Sequence, residues 1–220
     1  MKIEKLYRGR FSEKELKSKD VIWQTLCRYY FQKFIKQTDV VLDLGAGYCE
    51  FINNIKCKDK IAIEPNQDVS HYAEKSVKVF NVDCNKLDFI SNDSVDVIFI
   101  SNLLEHLESR EEILQMLRES RRILKPGGII ILLQPNIRFS CREYWDFFDH
   151  KIPISDKGLK EALELVDFTL IRITPRFLPY TTKSVSSVSE LIINVLIRIY
   201  LRLPLLWMIL GKQMLIIAKK

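Results

Sequence analysis

The sequence predicts an α/β domain built on a parallel sheet with helices on both faces. Short β-branched runs alternate with helix-like stretches from residue 40 to residue 134, the pattern that repeated strand–helix–strand units leave behind. Two segments, Ser12-Glu13-Lys14-Glu15 and Ser109-Arg110-Glu111-Glu112, have the form of capping boxes that open helices. Glycine is scarce, seven in 220 residues, and four of the seven sit at Gly45, Gly47, Gly127 and Gly128, beside predicted strands.

The first capping box opens a helix whose apolar positions 22, 23, 26, 27, 30, 31, 34 and 35 keep one face. Val40 to Leu44 follows as the first strand. The chain then reads as a short helix from Phe51 to Ile55, a strand from Ile61 to Glu64, a helix from Asp68 to Lys75, and strands from Val77 to Val82 and from Val95 to Ser101. The second capping box opens a helix with apolar positions 113, 114, 116, 117, 123 and 124, which Lys125-Pro126-Gly127-Gly128 terminates. Ile129 to Leu133 is the next buried strand. Residues 135–154 form a long connection rich in aromatic and charged residues, 155–166 a helix, Phe168 to Ile173 a strand, and Gln213 to Ala218 the last strand. With no internal repeat and no Ser/Pro-rich linker, one domain spans 1–220. It divides into a helical segment 1–37, a core 38–134, a loop 135–154 and an apolar helical insertion 184–211.

Composition excludes several classes. A chain with 28% charged and 10% aromatic residues is too apolar to be disordered. Its five cysteines are odd in number and show no zinc-ligand spacing, so neither a disulfide framework nor a metal site is expected. Met1-Lys2-Ile3-Glu4-Lys5 lacks the apolar run of a signal peptide, and a cytoplasmic location follows as the expectation. The net charge of +6 is unevenly spread. Residues 170–220 hold eight basic residues and one acidic, Glu190, which leaves 26 basic against 27 acidic in the rest.

Asp43-Leu44-Gly45-Ala46-Gly47 sits between the first strand and a helix, where glycines let a backbone approach a nucleotide-like ligand. A dinucleotide loop needs a further glycine where Glu50 stands, and a pyrophosphate would meet the carboxylates of Asp43 and Glu50. Those charges suit a ligand with a cationic centre, an ammonium and a sulfonium, as in S-adenosylmethionine. Glu64, ending the second strand, is placed to accept hydrogen bonds from a ribose diol, and Asp83, past the third, from an adenine amino group. Any one of these is ordinary as a loop carboxylate; three at consecutive strand ends form a pattern.

Together with the fourth strand running into Ser101-Asn102-Leu103-Leu104-Glu105-His106-Leu107, and with Leu124-Lys125-Pro126-Gly127-Gly128, these residues resemble the ordered motifs of class I S-adenosylmethionine-dependent methyltransferases, especially those acting on small molecules. The resemblance covers residues 38–134, with Cys49 where the family usually carries a third glycine. It implies a Rossmann-like seven-stranded sheet of order 3-2-1-4-5-7-6 with the last strand antiparallel. It also implies S-adenosylmethionine as cofactor, held by Asp43, Gly45, Gly47, Glu64, backbone around Asp83 and Cys84, and Asn102.

A hydroxyl acceptor must lose its proton, and His106 and His150 are the candidate bases, His150 with Asp146 and Asp149 beside it in the long connection. Arg138, Arg142, Tyr144, Trp145 and Tyr180 suit a polar, ring-shaped or anionic substrate. The Asn/Asp-Pro-Pro-aromatic motif of base-amine methyltransferases and the cysteine nucleophile of the pyrimidine C5 enzymes are missing. The expected acceptor is therefore a small molecule, with a sugar, glycan or lipid-linked hydroxyl foremost. A non-catalytic cofactor-binding module and an NAD-dependent oxidoreductase stand as the other readings, the latter opposed by Asp43 and Glu50.

Val185 to Leu210 is apolar except for Glu190, Asn194, Arg198 and Arg202, spaced by four into one narrow stripe, and Pro204 kinks or ends the helix. Three roles stay open for it: a cover on the domain, a homodimer face, or an interfacial helix at a bilayer. Nucleic-acid binding is disfavoured by so narrow a polar stripe.

Overall fold

The computed structural model describes residues 13–180 and 188–220; Ser12, which opens the first capping box, and residues 184–187 of the insertion lie outside them. In chain order the elements are α1 (Glu13–Tyr29), a 3-10 turn (Phe31–Phe34), β1 (Val40–Leu44), α2 (Glu50–Asn54), β2 (Asp59–Ile63), α3 (Val69–Tyr72), β3 (Val77–Phe80), β4 (Val95–Ser101) and a second 3-10 turn (Leu104–His106). They continue with α4 (Arg110–Ile123), β5 (Leu124–Pro135), α5 (Ile137–Tyr144), α6 (Asp156–Leu165), β6 (Thr169–Leu178), α7 (Glu190–Arg202), α8 (Pro204–Leu210) and β7 (Gln213–Lys219). The seven strands form one sheet in the order β3-β2-β1-β4-β5-β7-β6. Strands β1 to β5 pair in parallel, and β7 runs antiparallel to β5 and β6. Strand order and the hand of the last strand agree with what the resemblance implied.

The two-residue period of the strands sorts the core into two layers. Leu42, Leu44, Ile98, Ile100, Ile130 and Leu132 face α4 and α6, where they meet Ile113, Met116, Leu117, Leu159 and Leu163. Val41, Val97, Phe99, Ile131 and Leu133 face the opposite layer, which holds Ile22 and Leu26 of α1, Phe51 and Ile52 of α2, and Ile193 of α7. Phe51 stacks on Phe99 with ring centroids 3.6 Å apart, locking α2 over the start of the site.

Several boundaries depart from the sequence expectation, each for a local reason. The first helix ends at Tyr29 because the aromatic run Tyr30–Phe31 turns into a ring cluster with Phe177, Phe51 and Phe99. Helix α3 is a single turn: Asn53 takes the carbonyl of Tyr72 and the N–H of Glu74, fixing the chain as it leaves the helix. Strand β5 begins at Leu124, so Lys125-Pro126-Gly127-Gly128 lies within it as an irregular start, where its register against β4 shifts. The 135–154 connection contains α5, which Asn136 opens by accepting the N–H of Arg138. Within the 184–211 insertion the described residues form two helices meeting at 103°, with Pro204 as the first residue of the second.

Candidate active site at the carboxyl ends of β1 and β4

The loop after β1 owes its shape to three left-handed residues. Gly45 (φ 76°) and Gly47 (φ 54°) adopt the backbone region that side chains disfavour, and a Cβ on Gly45 would lie 3.0 Å from the Leu103 side chain. Nothing lies within 4 Å of where a Cβ of Gly47 would point, so that glycine borders open space. Cys49 holds the same conformation (φ 61°) at about 1–2 kcal/mol of backbone strain, with its thiol buried. A cysteine therefore occupies the family's third glycine position without changing the turn.

Glu64 ties the loop to β2. Its carboxylate accepts the N–H of Gly47 at 3.0 Å and that of Asn66 at 3.1 Å. Burial pushes the Glu64 carboxyl up, and the two backbone donors oppose the shift. Asp43 is only 3% exposed, and its carboxyl is pushed well above the usual carboxylate range, first by burial and then by the nearby charge of Glu50. Lys19, from α1, pairs with Glu50 at 2.6 Å.

The loop after β4 is fixed from β5. Leu133 accepts the N–H of Asn102 at 2.9 Å, and buried Gln134 accepts those of Leu103 and Leu104, both at 3.3 Å. The carbonyl of Glu105 then accepts the N–H groups of Lys151 and Ile152, which draws the segment after α5 across the site. This brings together residues distant in sequence. His106 Nδ1 lies 3.1 Å from the Asp149 carbonyl and 3.3 Å from an Asp149 carboxylate oxygen, and the His106 and His150 rings are 5.0 Å apart. Phe147 and Tyr144 flank His150 at 4.9 and 4.6 Å. Glu105, His106 and His150 also place one ligand atom each within 4.8 Å of the others, a grouping able to hold a metal ion that their spacing along the chain did not reveal.

A cavity of about 570 Å³ joins the two loops. Asp43, Gly45, Gly47, Glu50, Ser101 and Asn102 line one end, Glu105, His106, His150, Tyr180 and Gln213 the middle. The remaining wall is apolar: Trp23 and Leu26 of α1, Ile193, Leu196 and Ile197 of α7, and Leu206 and Leu210 of α8.

Residues 42–132 match the family model of the methyltransferase domain. Over 99% of this chain and 98% of the other, the fold matches the crystal structure of an S-adenosylmethionine-dependent methyltransferase from Archaeoglobus fulgidus, with a TM-score of 0.67 and 25% identity. The matched core and the fold are those of an S-adenosylmethionine-dependent methyltransferase domain. An uncharacterized methyltransferase of Schizosaccharomyces pombe is 27% identical over 139 residues, 54% of this chain; the match spans 49% of that relative, about half its length. A methyltransferase from Mesorhizobium loti, 14% identical with a TM-score of 0.59 over 86% of this chain and 94% of its own, shares the fold.

S-adenosylmethionine is the cofactor that this domain implies. The donor set fits it: the carboxylates of Asp43 and Glu50 line the cavity, Lys19 pairs with Glu50, and Gly47 borders open space, an environment that favours a positively charged ligand. Glu64 and Asp83 stand beyond the cavity lining, past the carboxyl ends of β2 and β3. Asp83 is exposed and accepts the N–H of Asn85. The Cys84 side chain is buried beneath the glycine loop, leaving only its backbone available to a base.

On the acceptor side the structure places the candidates unevenly. His106, His150 and Tyr180 line the cavity, with Asp149 behind His106. Tyr144 is buried and donates to the Ile152 carbonyl at 2.6 Å, a strut beneath His150 that does not line the cavity. Arg142 and Trp145 point away into solvent, Trp145 57% exposed, because α5 turns its Tyr144 face inward. Arg138 is committed to Asp156. Sequence reasoning missed Gln213. Its Nε2 donates to the Pro179 carbonyl, while its Oε1 is buried in the cavity wall with no hydrogen-bond partner among the described residues. The Tyr180 hydroxyl is likewise buried without a described partner, and burial, then the charge of Glu105, pushes its pKa up. No signal along the chain marks Gln213; its place comes from antiparallel pairing with Pro135.

Proposed function

We propose that the protein transfers a methyl group from S-adenosylmethionine to a hydroxyl of a small acceptor that has a polar head and an apolar body, a lipid or lipid-linked sugar being the class that fits both. The observation that carries this reading is the division of one cavity. It presents an imidazole backed by a carboxylate and two buried polar atoms, Tyr180 Oη and Gln213 Oε1, that have no partner among the described residues, beside a wall of leucine, isoleucine and tryptophan. Buried unsatisfied groups cost stability until a ligand pairs them, so they mark where the acceptor's polar head belongs.

Bound at the Asp43–Gly47 end, the cofactor supplies a sulfonium methyl, an electrophile that needs alignment more than activation. The chain's own residues do the rest. Asp149 holds His106 Nδ1, which fixes the ring and assigns Nε2 to taking the acceptor's proton. Protonated His106 is then stabilised by the Asp149 carboxylate. Tyr180 donates to, and Gln213 accepts from, the polar head, and the packed ring of Phe147 and the α7–α8 wall exclude water.

Transfer of labelled methyl groups from S-adenosylmethionine into fractionated cell extract tests this. Label is expected in the organic-soluble fraction, and His106→Asn is expected to slow the transfer by about 10²–10⁴-fold with cofactor affinity unchanged. Label confined to protein would contradict the acceptor class.

A further inference from the structure

Helix α7 packs Ile193, Ile197 and Leu201 on the core yet leaves much of its remaining apolar surface exposed. The middle of its polar stripe lies against α1, where Asn194 donates to the Thr25 hydroxyl at 2.9 Å and the half-buried Arg198 guanidinium lies 4.8 Å over the Tyr29 ring, while Glu190 and Arg202 at its ends are exposed. The exposed apolar surface continues onto α8. Leu191 is 76% exposed and Leu205 74%, with Ile192, Met208, Ile209 and Leu210 also exposed. A contiguous apolar surface of this kind marks an interaction site. Arg176 fixes α8 in this attitude by donating to the carbonyls of Ile209 and Gly211.

A cleft of about 240 Å³ adjoins this face, lined by Tyr29, Lys33, Arg198, Leu201 and Arg202. Three cations meet there and no carboxylate lines it. Among the described residues none of the three forms an ion pair. No single described helix is long and apolar enough to cross a membrane, and the 103° bend sets α7 and α8 in two directions.

We infer that α7 and α8 lie in the surface of an anionic bilayer, their leucines and isoleucines entering the acyl boundary while Lys33, Arg198 and Arg202 take the lipid phosphates. The charge decides the occupant: an apolar face alone would suit a second copy of the chain, but a cationic cleft at its border would set like charges near one another there, whereas it complements anionic headgroups. The cavity mouth belongs to the same face, since Leu196, Ile199 and Leu210 are both cavity-lining and about half exposed. This docking stands whether or not the acceptor reading above holds.

Co-sedimentation with vesicles tests it, using phosphatidylcholine alone and phosphatidylcholine with 30% phosphatidylglycerol. The protein is expected to partition at least tenfold more strongly onto the anionic vesicles. Lys33→Gln with Arg202→Gln, both exposed side chains, is expected to weaken that binding about fivefold per charge removed. Leu205→Ser with Ile209→Ser should abolish it, and cofactor binding, which uses none of these residues, reports that each variant is folded. Equal partitioning onto both vesicles, or none, overturns the inference. So does a dimer in sedimentation that the serine variant dissolves, since the face would then belong to a second copy.

Discussion

Asp43 carries two opposed roles in one side chain. Its carboxyl is raised by burial and by Glu50, so ionising it costs the apo fold. That cost sets in as pH rises above the ordinary value of 3.8, where the unfolded chain ionises first, and is complete once pH passes the raised folded value. A cationic ligand offsets it. The thermal stabilisation conferred by S-adenosylmethionine is therefore expected to grow as pH rises through the Asp43 transition, measured by melting with and without cofactor. Asp43→Asn keeps an acceptor for the Ile52 N–H, and its apo form is expected to melt higher than wild type at neutral pH while gaining nothing from cofactor. Glu64→Gln turns one oxygen that accepts a backbone N–H into a donor, and calorimetry is expected to show cofactor affinity about 10–100-fold weaker. Asp43 and Glu64 were legible because a carboxylate at a strand end next to a glycine turn is a local pattern. Gln213 was not: its unsatisfied oxygen exists only once β7 returns beside β5 and α8 closes the wall. Gln213→Leu is expected to raise the KM for the acceptor with little change in cofactor affinity.

At the level of elements, the segment after α5 matters most. It read as a loop because Asn136, Tyr144 and the carbonyl of Glu105 organise it through contacts far apart in sequence, while its own pattern shows only aromatics and charges. The Tyr144 hydroxyl bond to Ile152 is the strut that sets His150. Tyr144→Phe leaves the Ile152 carbonyl short of a partner and is expected to cost about 1–3 kcal/mol in denaturant unfolding, with kcat falling alongside. Capping was the more legible feature: Ser109 accepts the Glu112 N–H, as its capping box predicts, although the Glu112 carboxylate reaches back to the N–H of Glu108. The insertion was half legible. Its polar stripe and Pro204 break follow from spacing, but which side of α7 faces inward is decided by Thr25 and Tyr29 on α1.

For the whole molecule, strand alternation and the four placed glycines were enough to predict an α/β parallel sheet, and the resemblance supplied its order; the antiparallel return of β7 leaves no trace in hydrophobic spacing. The charge asymmetry also has a physical address. Arg198 and Arg202, two of the eight C-terminal basic residues, line the cleft beside the apolar α7–α8 face, and the near-neutral remainder holds the carboxylates of the cofactor loop. One cavity joins the carboxylates of the glycine loop, proposed to select a cationic cofactor, to the polar and apolar side chains proposed to take the acceptor. Titration calorimetry at neutral pH, with S-adenosylmethionine, its demethylated product and NADH each injected into the wild-type protein, tests the first and more basic half. One site for the two sulfur compounds, lost in Asp43→Asn, and no heat from NADH is the predicted result; NADH binding, or silence from both sulfur compounds, would contradict it.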